Sequence, residues 1–124
     1  MKEIFTKRVY EPAGPDDGLR VLVDRLWPRG VTKERLQASM WLKEVAPSAV
    51  LRRLFGHDRS KWEAFRLRYL EELEARPPGL AALFEAAGRG RVTLLYAARD
   101  SECNHAVVLR EYLISQLDDR EAGA

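Results

Sequence analysis

The chain has one cysteine, two histidines and no run of about 18 apolar residues. Each shortage closes off a class of explanation. A single cysteine excludes an internal disulfide and suits a reducing compartment. Two histidines and one thiol cannot close a zinc site without recruiting carboxylates, so neither a metal nor a cofactor is expected. No segment is long and apolar enough to span a bilayer, and the opening MKEIFTKRVYE lacks the apolar core of a signal peptide, which predicts a cytoplasmic protein with no membrane partner. Neither GxGxxG nor GxxxxGK followed by Ser or Thr occurs, leaving a nucleotide cofactor or a methyl-donor fold without support. Charge of one sign is scarce as well. The 21 basic residues face 19 acidic ones, for a net charge of +2, and the two signs mix along most segments. That is a weak footprint for nucleic acid.

What is present describes a globular chain. With 124 residues, 46% apolar and 32% charged, one domain spanning residues 1–124 is expected to bury roughly two thirds of its unfolded surface. No repeat and no low-complexity segment divides it. Residues 4–10 alternate in the manner of a strand, and residues 11–18, EPAGPDDG, form a loop. Residues 19–26 and 92–98 are near-continuous apolar runs, the pattern of strands covered on both faces and paired in parallel. The direction and place of the first strand stay open, since its link is short for a parallel crossover and long for a tight hairpin.

Residues 32–88 read as helix throughout. Thr32 caps a first helix carrying Leu36, Met40, Trp41 and Val45 until Pro47 interrupts it; Ser48 caps a second, which Gly56 stops. Ser60 to Glu63, S-K-W-E, matches a capping box before a stripe of Trp62, Phe65, Tyr69, Leu70 and Leu73. LAALFEAAGRG makes a short helix ending at Gly88 or Gly90. Asp100 or Ser101 caps the last one, with Val108, Leu109, Tyr112 and Leu113 inward, and the tail 118–124 frays. The fold class is therefore α/β: a small, mainly parallel sheet of about three strands covered by some five helices.

Parallel strands joined by a right-handed crossover end at one edge of their sheet, and ligands collect beyond that edge. The stretch VLVDRLWPRG, residues 21–30, delivers Asp24, Arg25, Trp27, Arg29 and Gly30 there; the strand at 92–98 delivers Arg99, Asp100 and the helix start through His105. Pro28 and Gly30 aim the first loop rigidly. Rigid guanidinium groups beside a helix N-terminus suit phosphate or carboxylate. The ligand-binding candidates are Asp24, Arg25, Arg29, Gly30 and Asn104, with His105 as candidate general acid or base and His57 and Trp62 as further binding positions. Against this stands a purely structural reading in which Arg25 and Arg29 pair with Asp24, Glu34, Asp16 or Asp17 and Trp27 plugs the core. Cys103 and His105 invite thiol catalysis, but residues two apart on a helix point about 200° from each other. His57 also suits a helix junction, and Arg52, Arg53, Arg66 and Arg68 suit solvated helix faces.

These motifs carry a resemblance. RVLVDRLWPRG, WLKEVAPS, LRRLFGHD, KWEAFRLRYLEEL and VTLLYAARDSECNHAVVL together resemble the YeaO-like family of uncharacterised bacterial proteins, from about residue 4 to residue 115. The resemblance carries over no activity, substrate or cofactor. It implies which positions form the family pattern: Asp24, Arg25, Pro28, Arg29 and Gly30; Pro47 and Ser48; Phe55, Gly56 and His57; Trp62, Phe65 and Tyr69; Asn104 and His105. A broader related group carries a VDVRxxPxS-like segment and a Cys-His-Arg sequence. This chain has Arg25 and Leu26 where that group has Val and Arg, and Asn104 and Ala106 flank His105 in place of cysteine and arginine. Thiol chemistry is therefore not carried over, and His105 is the shared element. The leading expectation is an anion-binding small-molecule pocket; the rival is a non-catalytic module that binds nucleic acid or protein through its arginine-rich helices.

Overall fold

A computed structural model describes residues 3 to 122 as one α/β domain. Strands β1 (Ile4–Arg8), β2 (Leu19–Leu22), β3 (Met40–Trp41) and β4 (Val92–Tyr96) form a parallel sheet in the order β1-β4-β2-β3. Five helices surround it: α1 (Lys33–Leu36), α2 (Ala49–Phe55), α3 (Trp62–Glu74), α4 (Leu80–Arg89) and α5 (His105–Ala122). Among the described residues no helix is long and apolar enough to cross a membrane.

The two faces of the sheet follow from the period of two along a strand. Ile4, Val21, Val23, Val92, Leu94 and Tyr96 point to one side, where α2 to α5 supply Leu51, Phe55, Phe65, Tyr69, Leu83, Leu109 and Leu113. Leu22, Leu95 and Val9 point to the other, against Val31, Leu36 and Trp27. The central strand β4 is buried at all five positions, as its unbroken apolar sequence requires.

The first strand settles beside β4 and parallel to it. The link to β2 must then return along the sheet without a helix, and polar contacts hold it there. Thr93 Oγ1 donates to the Asp17 carbonyl at 2.7 Å, while Lys7 and Arg20 grip the Asp17 carboxylate at 3.0 and 2.5 Å. Arg20 also donates twice to the Leu36 carbonyl, at 2.9 and 2.7 Å. Asp17 thus pairs with these two residues and not with Arg25 or Arg29.

Several expectations need correction. Thr32 does cap a helix, accepting from the Arg35 N–H, but that helix ends after one turn at Gln37, whose φ is 50°. Met40 and Trp41 become the fourth strand, which the Ser39 and Leu42 N–H groups anchor on the Arg20 and Leu22 carbonyls. A 3₁₀ turn at Lys43–Val45 follows. Ser60 caps nothing: Asp58 accepts from its N–H and its hydroxyl ahead of a second 3₁₀ turn, and α3 begins at Trp62. The last helix starts later than expected, with Asn104 as its cap and His105 as its first residue. It also continues to Ala122, so residues 118–122 of the tail are helical; residues 123 and 124 lie outside the described part. Ser48 caps α2 as expected, and its N–H and hydroxyl both donate to Glu72 on α3, tying the two helices together.

Candidate functional site

The carboxyl ends of the strands open into a cleft of about 1150 Å³. Four segments and Phe65 of α3 line it. Arg8 and Tyr10 come from the end of β1, Asp24 to Arg29 follow β2, Ala46 to His57 include the start and end of α2, and Ala97 to His105 follow β4. Ligand pockets of this size hold whole small molecules.

The floor joins the two segments that sequence reasoning placed together. His105 Nε2 lies 3.0 Å from the Val23 carbonyl oxygen and 3.0 Å from Asp24 Oδ1. A carbonyl oxygen only accepts, so Nε2 carries a hydrogen and the neutral ring keeps Nδ1 as its acceptor. That hydrogen aligns with Val23, which leaves Asp24 Oδ1 buried without an aligned donor among the described residues. The other carboxylate oxygen accepts from the Ala97 N–H at 3.0 Å, so Asp24 is clamped between β4 and α5. Tyr69 stands edge-on to the His105 ring, 6.4 Å between centroids, and donates to the Val45 carbonyl at 2.6 Å. Burial, then the nearby Glu72 and Asp24 charges, pushes the Tyr69 hydroxyl far above its usual range against the opposing charge of Arg25. It stays protonated and structural.

The walls carry the cations. Arg25 donates through Nη2 to the Ala46 carbonyl at 3.1 Å and bridges the floor to the segment before α2. Its Nε is buried without a partner among the described residues. Arg8 donates to the Ala97 and Ala98 carbonyls at 3.2 and 3.1 Å and lies 4.8 Å over the Tyr10 ring, whose hydroxyl donates to the Arg29 carbonyl at 3.0 Å. Arg29, Arg52 and Arg99 line the cleft with exposed side chains, and among the described residues none has a carboxylate within ion-pair distance. The remaining acid, Asp100, is already committed. A fork from Arg59, then the Cys103 and Glu102 N–H groups, hold its carboxyl well below the usual range.

The sequence candidates divide accordingly. Asp24, Arg25, Arg29, Asn104, His105 and His57 line the cleft; Gly30 and Trp62 are not among its lining residues. Gly30 has a φ of 77° and shapes the turn. Trp62 packs on Phe55 and Phe65 at 5.8 and 5.7 Å. Asn104, 2% exposed, spends its amide on the Asp100 carbonyl and its oxygen on the Val107 N–H, so its polar atoms serve the start of α5. His57 has a left-handed backbone, φ 59°, directly after Gly56 at 53°. Trp27 packs in the second cluster and donates to the Val31 carbonyl at 2.6 Å. Cys103 sits in the turn before α5, outside the cleft lining. Sequence reasoning missed Arg8 and Tyr10, because the direction of their strand was undetermined, and it assigned Arg52 to a solvated face. Among the described residues no three His, Cys, Asp or Glu side chains gather as a metal site would need.

The chain matches the family model described as the inactive DUF488-N3 subclade over residues 3–124. It is 44% identical over 112 residues to the uncharacterized protein YeaO of Escherichia coli strain K12, covering 90% of this chain and 97% of that one. The chain belongs to this YeaO-like family. Uncharacterized proteins Rv3073c of Mycobacterium tuberculosis and Mb3100c of Mycobacterium bovis are similar at 44% over 106 residues, 86% of this chain and 89% of each. No solved structure matches. The match spans every segment that lines the cleft, so the Asp24 and His105 floor lies wholly within the part that this YeaO-like chain shares with its relatives.

Proposed function

We propose that the protein binds a phosphate- or carboxylate-bearing small molecule in this cleft, in the cytoplasm. One observation carries the reading. Five guanidinium groups, Arg8, Arg25, Arg29, Arg52 and Arg99, line the cleft against two carboxylates, Asp100 paired with Arg59 and Asp24 held on one oxygen by the Ala97 N–H with the other buried. Arg29, Arg52 and Arg99 are left to meet an anion from solution. Binding without turnover fits the description of the family as an inactive subclade. Thermal unfolding with inorganic phosphate and sugar phosphates tests it: a ligand at a hundred times its dissociation constant adds about 2.7 kcal/mol. The gain disappears in the double variant Arg29→Ala, Arg99→Ala. Equal gains in both proteins, or no gain from any anion, defeat the proposal.

A second reading has its own observation. His105, whose Nε2 donates to the Val23 carbonyl beside Asp24, has the posture of a general base oriented to act through Nδ1. Under this reading His105→Gln abolishes a reaction while leaving anion affinity intact. Under the first, the same variant leaves nothing to lose except the shape of the floor.

A further inference from the structure

His105 opens α5, and its ring is held by one nitrogen only. Nε2 spends its hydrogen on the Val23 carbonyl, so the lone pair that can attack an electrophile lies on Nδ1. Nδ1 has no partner among the described residues, and unlike Asp24 Oδ1 and Arg25 Nε it is not sealed from solvent. The first N–H groups of a helix lack partners within it. Asn104 occupies that of Val107, which leaves those of His105 and Ala106 for oxygens beside the ring. The same cleft is lined by Arg29, Arg52 and Arg99, and by no serine, threonine or cysteine that could compete as nucleophile. Its Tyr10 hydroxyl donates to the Arg29 carbonyl, and Asp100 is paired with Arg59.

We infer that His105 is a phosphoryl acceptor, whose Nδ1 takes the phosphoryl group of a small phosphoramidate or acyl phosphate bound in the cleft. The inference rests on the anion-binding reading, in which the arginines hold the donor, and it names the ligand class. The P–N or P–O bond of the donor breaks, its electron pair departs with the amine or the carboxylate, and a P–N bond to Nδ1 forms. His105 loses no proton in this step. Nε2 keeps its hydrogen, the ring becomes cationic, and Asp24 Oδ1, 3.0 Å from Nε2, stands beside the new charge. The protein is marked once, and no turnover is required.

Incubation of the full chain with phosphoramidate tests this, read by intact mass, peptide mapping and phosphorus NMR, which separates Nδ1-phosphohistidine from the Nε2 isomer. The native protein gains one phosphoryl group at Nδ1 of His105, stable in alkali and lost in acid. It does so at least about tenfold faster than the urea-unfolded chain, the size of one charge-assisted contact. His105→Gln loses the label, and the variant Arg29→Ala, Arg99→Ala acquires it about tenfold more slowly. A label on His57, a label on Nε2, a rate no greater than that of the unfolded chain, or an unlabelled protein that phosphate still stabilises against heat overturns the phosphoryl acceptor; anion binding is then judged by thermal unfolding alone. Labelling that proceeds unslowed in the arginine variant, or a chain that neither takes the label nor gains stability from any anion, overturns both.

Discussion

Arg20 is the charged side chain that the fold buries most deeply among the described residues, at 5% exposure. It stands in β2, in register with Thr93, where an apolar residue would ordinarily sit. Its position becomes intelligible once the return of residues 9–18 across the sheet is seen, because Arg20 and Lys7 both hold Asp17, the last side chain before Gly18. Burial pushes the Asp17 carboxyl up, but the Gly14 N–H, Lys7 and Arg20 together outweigh it and lower its pKa from the ordinary 3.8. A carboxylate lowered in this way contributes stability that is complete above 3.8 and fades as the pH falls through its folded value. Asp17→Asn is therefore expected to cost about 2 kcal/mol at neutral pH. Urea unfolding at a series of pH values checks this. The gap to the parent protein should narrow steadily below pH 3.8, as the carboxyl of the unfolded chain takes up a proton before that of the folded one. A gap that stays constant would mean that the loop is held by something other than charge.

At the scale of elements, the same return path puts an unusual demand on one residue. Gly18 has a φ of 66°, and a Cβ there would lie 2.3 Å from the Arg91 carbonyl oxygen, which accepts from the Leu19 N–H at 2.9 Å. Gly30 has a φ of 77° and open space around it. Gly18→Ala is expected to cost about 3 kcal/mol or more, through clash and left-handed strain together, and Gly30→Ala about 1 kcal/mol, through strain alone. Parallel denaturant titrations compare them directly. This contrast also marks what the sequence made legible. The apolar runs of β2 and β4 declared a buried parallel pair, and the crossover rule then brought Asp24 and His105 to one edge. The stretch from Leu36 to Val45 misled because its apolar spacing is helical, while its conformation is set by distant partners: Arg20 claims the Leu36 carbonyl, Gln37 turns left-handed, and Met40 and Trp41 pair with β2. No local pattern records those partners. For the same reason Asn104 was legible as a polar residue at the edge but not as the cap of α5, since where a helix starts depends on how Asp100 and Arg59 hold the preceding turn.

Over the whole molecule, charge decides between a cleft and a nucleic-acid surface. Some of the basic residues outside the cleft are neutralised in place: Lys7 and Arg20 by Asp17, Arg66 by Glu63 and Glu111, Arg89 by Glu85, Arg91 by Glu3, and Arg59 by Asp100 and Glu102. A net charge of +2, with the two signs mixed along most segments, is a weak footprint for duplex DNA. Three unpaired guanidinium groups, Arg29, Arg52 and Arg99, line a concave space where the strands end, which suits a small molecule better than a rod. Neutralising Z phosphates gives a salt slope of about −0.9Z, so the three unpaired arginines of the cleft would support a slope of at most about −3. Fluorescence anisotropy of a labelled duplex across ionic strength should therefore show at most weak binding, lost by about 0.15 M salt, where the screening length is only about 8 Å. A slope of about −6 or steeper, unchanged by His105→Ala and by Arg29→Ala, would require at least six phosphate contacts. The cleft alone cannot supply them, and Arg53, Arg66 and Arg68 of α2 and α3 would then have to join the interface, Arg66 giving up Glu63 and Glu111.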